Sequence, residues 1–167
     1  MGSQHSNTPC LTPGRQHSKK HFEGANEKLM REMFGANVCY VRQCQGDLGE
    51  RMLRSFRRAF RSGRRKAIIV GTDCPGMTVE QMERAFEELE HHPLVLGPAN
   101  DGGYYLIGLK RPIPQLFRDI PWGTGEVLKR TLKAAEERAL STVLLEPLDD
   151  VDRPEDLHVW EEAAAFS

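Results

Sequence analysis

Three acidic positions stand where a carboxylate could do chemistry. Asp73 follows the apolar run Ala67-Ile68-Ile69-Val70, Asp101 precedes the run at Tyr104, and Asp150 with Asp152 follows the run from Thr142 to Leu145. Each run reads as a buried strand. Ligands of open parallel sheets bind beyond the carboxyl ends of their strands. Two carboxylates converging there would form a hard oxygen site for Mg2+ or Mn2+, which keeps several waters and takes other ligands from substrate phosphates. Such a site suits transfer from a nucleotide diphosphate, because the metal offsets charge growing on the leaving group.

Structural roles compete with each of these readings. Position alone leaves Asp73 evenly divided between turn former and ligand. Asp152 could cap a last helix, with Glu155 three residues on as its partner. Asn100-Asp101-Gly102-Gly103 is a strong turn signal by itself, although two glycines also let a ligand approach the backbone. Cys74 has no histidine near it in sequence and reads better as a small buried hydrophobe than as a nucleophile. Cys39 and Cys44 lack a second pair at zinc-site spacing. The basic run Arg51, Arg54, Arg57, Arg58, Arg61, Arg64, Arg65 and Lys66 reads as the solvated face of a helix. Its aromatics, Phe56 and Phe60, fall on the buried stripe, so no stacking platform for RNA is offered.

The elements that must position these residues alternate in type. Residues 1–20 have no apolar period and read as a disordered tail, leaving 21–167 as one domain. A short helix is expected at 25–34 and a strand at 38–41. A helix capped by Asp47 with Glu50 follows, its inward stripe formed by Leu48, Met52, Leu53, Phe56 and Phe60 and its stop by Gly63. After the strand at 67–70 comes a second capped helix, opened by Thr78 with Gln81 and turning Met82, Phe86 and Leu89 inward. Strands at 94–96 and 104–109, a helix at 126–140, a strand at 142–145 and a helix opened by Pro154 complete the chain. This alternation predicts an α/β domain with a mainly parallel sheet.

The bulk numbers exclude several classes. The chain has 167 residues, 39% hydrophobic and 28% charged, with a formal net charge of -1. It therefore carries no overall field to gather nucleic acid or an anionic membrane. No apolar run approaches the ~20 residues of a membrane span. No secretory signal is visible, and four cysteines without one read as reduced thiols in the cytoplasm.

Five stretches occur in a telling order: QGDLGERM (45–52), GTDCPGMT (71–78), GPANDGGYYLIG (97–108), IPWGTGEVL (120–128) and DVDRPEDL (150–157). Together they resemble the bacterial glycosyltransferases of arsenosugar biosynthesis. That family belongs to the GT-A, or nucleotide-diphospho-sugar transferase, superfamily and is akin to the molybdenum-cofactor nucleotidylyltransferases. The resemblance covers about residues 22–163. It implies a three-layer GT-A-like domain, with a mainly parallel sheet between helices on both faces.

The resemblance also implies roles. Asp73 and Asp152 would be ligands of Mg2+ or Mn2+. Gly46, Asp47, Leu48, Gly49 and Arg51 would contact the nucleotide. Gly102, Gly103 and Tyr104 would lie on the acceptor side, walled by Trp122 and Thr124, with Asp101 as general base. The implied partners are a nucleotide-sugar donor and a small-molecule acceptor.

Two substitutions depart from the pattern: Arg153 stands at a usual threonine and Asn100 at a common acidic position. Family members also begin with a strand, a basic Lys-Thr-Arg-Leu type loop and a helix, then a second strand. By the resemblance this unit is lacking here, so the domain is expected to be N-terminally truncated, with an exposed sheet edge through which copies could pair. The alternative is a truncated, catalytically silent relative serving as a binding or interaction module.

Overall fold

In a computed structural model of the protein, the described residues are 19–22, 39–42, 45–71 and 76–149. They belong to two units, Met1–Gln45 and Gly46–Ser167. The first unit holds strand β1 (Lys19–Phe22) paired in parallel with β2 (Cys39–Arg42), Lys19 opposite Cys39 and Phe22 opposite Arg42. Strand β2 lies where β-branched and aromatic residues predict one. Strand β1 does not: its sequence is KKHF, which offers no alternation of apolar residues to read. The expected helices at 25–34 and after Pro154, and residues 1–18 of the expected tail, lie outside the described residues.

In the second unit the helices begin and end as their sequences dictate. Asp47 caps α1 (Leu48–Arg61), its Oδ1 accepting the Glu50 N–H at 2.8 Å. That satisfies one of the donors a helix N-terminus leaves open. The same helix closes in a Schellman arrangement. The Gly63 N–H donates to Phe60 O at 3.0 Å and the Arg64 N–H to Ala59 O at 3.3 Å, with Gly63 at φ +84°. Helix α2 (Val79–His91) opens on a reciprocal capping box between Thr78 and Gln81. Helix α3 (Val127–Glu136) stops short of the expected 140. There Ala139 takes φ +49° and the Leu140 N–H turns back to Ala135 O at 3.0 Å.

Strands β3 (Ala67–Val70), β4 (Leu94–Pro98), β5 (Tyr104–Leu109) and β6 (Thr142–Leu144) form one sheet in the order β3-β5-β4-β6. Strands β4 and β6 are parallel, while β5 runs against both β3 and β4. The α/β class holds, and β5 is the exception to a parallel reading. Its link from β4 is too short for the crossover that a parallel neighbour requires, so the chain can only reverse.

Helices cover both faces of this sheet because alternate strand residues point to opposite sides. Leu94, Leu96, Ile107 and Leu109 pack with Met52 and Phe56 of α1, Ala135 of α3, and Leu116 and Phe117. The last two come from a 3-10 turn, Pro114–Phe117, that the sequence pattern does not announce. Val95, Leu106 and Leu145 pack with Ala85 and Leu89 of α2 on the other side. A bulge at Gly97/Pro98 breaks the alternation, so Tyr104 joins the α1 side while Tyr105 and Leu106 join the α2 side. One expected core residue is displaced: Leu48 is 42% exposed, and Gly49 is buried in its stead. Among the described residues no helix is long and apolar enough to cross a membrane.

Candidate active site

Strands β3, β4 and β6 share one direction, so their carboxyl ends meet at one edge of the sheet, where β5 begins. The loop 99–103 is the centre of that edge. Asn100 ties it to the segment after β6: its backbone N–H donates to Leu148 O at 3.0 Å and its Nδ2 to Asp149 Oδ1 at 2.6 Å. Asp101 folds onto its own loop, Oδ1 accepting the Gly103 N–H at 2.7 Å. The expected turn role of this carboxylate is thus real, and the side chain remains exposed for a second one. Gly102 sits at φ +90°, and a Cβ there would collide with the backbone of Gly125. Its carbonyl accepts the Leu128 N–H at 2.9 Å, which locks the loop onto the start of α3.

The segment 121–126 forms the adjoining wall. The Thr124 hydroxyl donates to Pro121 O at 2.8 Å and accepts the Glu126 N–H at 3.3 Å, so it shapes its own turn. The Trp122 indole lies over Gly49 of α1, where a Cβ would come within 2.6 Å of it. Tyr104 meets Trp122 edge to face, ring centroids 6.4 Å apart. The Tyr104 hydroxyl turns inward to Thr131 of α3 rather than outward, and burial pushes its phenol above the ordinary range, with Thr131 opposing.

The expected nucleotide loop divides by role. Gly46 takes φ +125° to make the turn, Asp47 caps the helix, and Gly49 leaves room for Trp122. Leu48 is exposed at this edge, as are Val79 and Leu144, and these three are the large apolar side chains most open to solvent among the described residues. Arg51 is half-buried one turn further along α1.

The fold therefore brings the expected nucleotide and acceptor residues into one assembly, joined at Gly49 and Trp122. Asp73 and Asp152, the expected metal ligands, lie outside the described residues. Their described flanks are at this edge: the Gly71 N–H donates to Tyr105 O at 2.8 Å, and Asp149 holds Asn100. Among the described residues no three His, Cys, Asp or Glu side chains gather as a metal centre.

Sequence reading missed Gly125, whose backbone crowds Gly102, and Thr131, a fully buried polar residue in α3. A threonine on the apolar stripe of the 126–140 helix was the available signal for the second. A cavity of about 340 Å³ between residues 115–120 and α3 is lined by Arg118, Arg130, Lys133 and Arg138 among others. It contains none of the expected site residues, and the chemistry-bearing loops lie elsewhere.

Comparison with known proteins agrees with this architecture. A solved structure from Desulfovibrio desulfuricans G20, described as a "putative nucleotide-diphospho-sugar transferase", is similar at 26% identity and a TM-score of 0.75, over 90% of this chain and 76% of that one. No curated protein matches. The likeness shows a GT-A-like fold and supports the superfamily to which the motifs pointed, without reaching the arsenosugar type. The profile of the family described as "Uncharacterized protein conserved in bacteria (DUF2064)" matches residues 13–124, more than half of the sequence, and the chain belongs to that family.

Proposed function

We propose that the protein is a metal-dependent transferase that moves a glycosyl or nucleotidyl group from a nucleotide-diphosphate-sugar type donor to a small-molecule acceptor. The observation that carries this reading is the structural likeness over 90% of the chain to a protein described as such a transferase. The sheet edge supports it, because the loops that would meet donor and acceptor are pinned to one another there. The motif resemblance supplies the narrower proposal of an arsenosugar-biosynthesis type acceptor.

Asp73 and Asp152 would hold Mg2+ or Mn2+. Carboxylate oxygens are the donors these hard cations select, so the residue types fit. When bound, the ion would offset negative charge on the donor diphosphate. Gly46 to Gly49 with Arg51 would place the nucleotide, the guanidinium facing anionic oxygen. Gly102, Gly103, Tyr104, Trp122 and Thr124 would shape the acceptor side, Tyr104 acting through its ring packing because its hydroxyl is turned inward. In glycosyl transfer the acceptor hydroxyl would lose its proton to Asp101 as its oxygen bonds the sugar carbon. The bond to the diphosphate oxygen would break with the electron pair leaving on the nucleotide. Asp101 suits that role by its exposure and its fixed turn, since a general base must come within hydrogen-bond reach of the proton.

Isothermal titration calorimetry with UDP-, GDP- and CDP-sugars, with and without Mn2+, tests the reading. At least one sugar nucleotide should bind, more tightly with Mn2+, and Asp73→Ala should remove the Mn2+ dependence. Binding by none of them, or binding indifferent to Asp73→Ala, would sink it.

A further inference from the structure

The end of the molecule opposite the candidate site carries two charge stripes that the proposed reaction does not use. Arg57, Arg58 and Arg61 of α1, with Arg64 and Arg65 just beyond it, are all exposed, and among the described residues none of the five has an ion-pair partner. In α1 the sole acidic residue is Glu50, already beside Arg54 at 3.7 Å. On α2, Glu83 and Glu87 are exposed and unpaired among the described residues, one and two turns before Glu90. Like charges three and four residues apart repel, so each stripe weakens its own helix by roughly 0.2–0.5 kcal/mol per pair. The helix dipole accounts for Arg58 and Arg61 in the last turn, but not for Arg57, Arg64 or Arg65.

The two stripes are neighbours. Lys66 follows the arginines directly, and its Nζ donates to Phe86 O at 2.7 Å and pairs with Glu90, both on α2. Basic and acidic surfaces therefore abut along a line at the amino ends of β3 and β4. A two-fold axis through that line would lay the arginines of one copy on the glutamates of the other, and the reverse, in a single isologous interface. We propose that a second copy of this chain docks here, through the strip joining the end of α1 to the end of α2.

A phosphate polymer or an anionic membrane fits the strip less well. Either would meet the glutamates as soon as it met the arginines, on a chain whose formal net charge is -1. Arginine also favours carboxylate partners, since its planar fork binds both oxygens at once. The interface would leave the carboxyl edge of the sheet open to ligands. It is also a different surface from the sheet edge expected to mediate pairing.

Sedimentation velocity of the full chain tests this, at salt concentrations of about 0.05 and 0.5 M, where screening differs severalfold. A dimer should form at low salt and dissociate at high salt. Arg64→Glu with Arg65→Glu should yield a monomer, and so should Glu83→Lys with Glu87→Lys. The arginine pair lies past the helix end, so its reversal disturbs neither helix dipole nor capping, and circular dichroism melting verifies folding of all variants. Mixing the two variants, or combining all four changes in one chain, should restore the dimer. A monomer under both conditions overturns the proposal, as does a dimer indifferent to these reversals or a failure of the combined variant to restore it. Binding of duplex RNA or anionic vesicles by a chain that stays monomeric would likewise overturn it.

Discussion

The two ends of the sheet are built on opposite plans. At the carboxyl edge, nearly every polar side chain is engaged with backbone: Asp47 with α1, Asp101 with Gly103, Thr124 with Pro121, and Asn100 with the strand-end segment at Leu148. At the amino end, five arginines and two glutamates stand in solvent beside one closed pair, Lys66 with Glu90. Density of charge is therefore a poor guide to the candidate site. What distinguishes the site is that short side chains and glycines fix its loops against each other, which keeps a binding surface in register.

The largest test of this contrast uses glycines at positive φ. Gly102→Ala adds a methyl against the backbone of Gly125, which cannot turn aside, and should cost about 3 kcal/mol or more in denaturant unfolding. Gly63 at the opposite end and Gly123 at the site both have open space where a Cβ would go. Each alanine variant there should cost only about 1–2 kcal/mol, the left-handed penalty alone. Equal losses at all three positions would show that φ, rather than interlocking of loops, sets the rigidity of the edge.

A smaller effect is expected at Gly49. Alanine gains about 1 kcal/mol of helix propensity there but must push the half-buried Trp122 aside. The net loss should be about 1 kcal/mol, with a clear change in tryptophan fluorescence and weakened sugar-nucleotide binding. Unchanged fluorescence would mean that the Gly49–Trp122 contact does not join the two halves of the site.

Tyr104 gives the smallest effect, visible only in alkali. Its folded phenol titrates above the unfolded value of 10.0, so the folded chain keeps a proton that the unfolded chain loses. Its contribution to stability is whole below pH 10 and falls as pH rises past that value. Tyr104→Phe should leave stability at neutral pH within about 1 kcal/mol, because the hydroxyl has no hydrogen-bond partner among the described residues. The same change should flatten the loss above pH 10. A wild-type curve already flat there would contradict burial of this group.

Local rules were legible wherever a local interaction decides. The cap at Asp47, the box at Thr78 and Gln81, the stop at Gly63 and the strand Tyr104–Leu109 follow from neighbours in sequence. Leu48 misled because apolar type and helical spacing both placed it inward, yet the first residue of α1 faces the open edge. Strand β1 was hidden because KKHF has no pattern of its own and forms a ladder with Cys39–Arg42. The direction of β5 could have been read from the brevity of its loop, a local signal set aside in favour of the alternation of elements.

For the site, the sequence by itself determined which loops carry the chemistry-bearing residues and which of those residues had to be glycine, carboxylate or aromatic. It also fixed the α/β class, because period and capping are properties of adjacent residues. Only the tertiary structure decided that Trp122 lies on Gly49, that Gly102 closes on Gly125, and that the Tyr104 hydroxyl faces α3 instead of the open edge. Those contacts join segments far apart in the chain, and whether two such segments meet depends on how every strand between them pairs and packs.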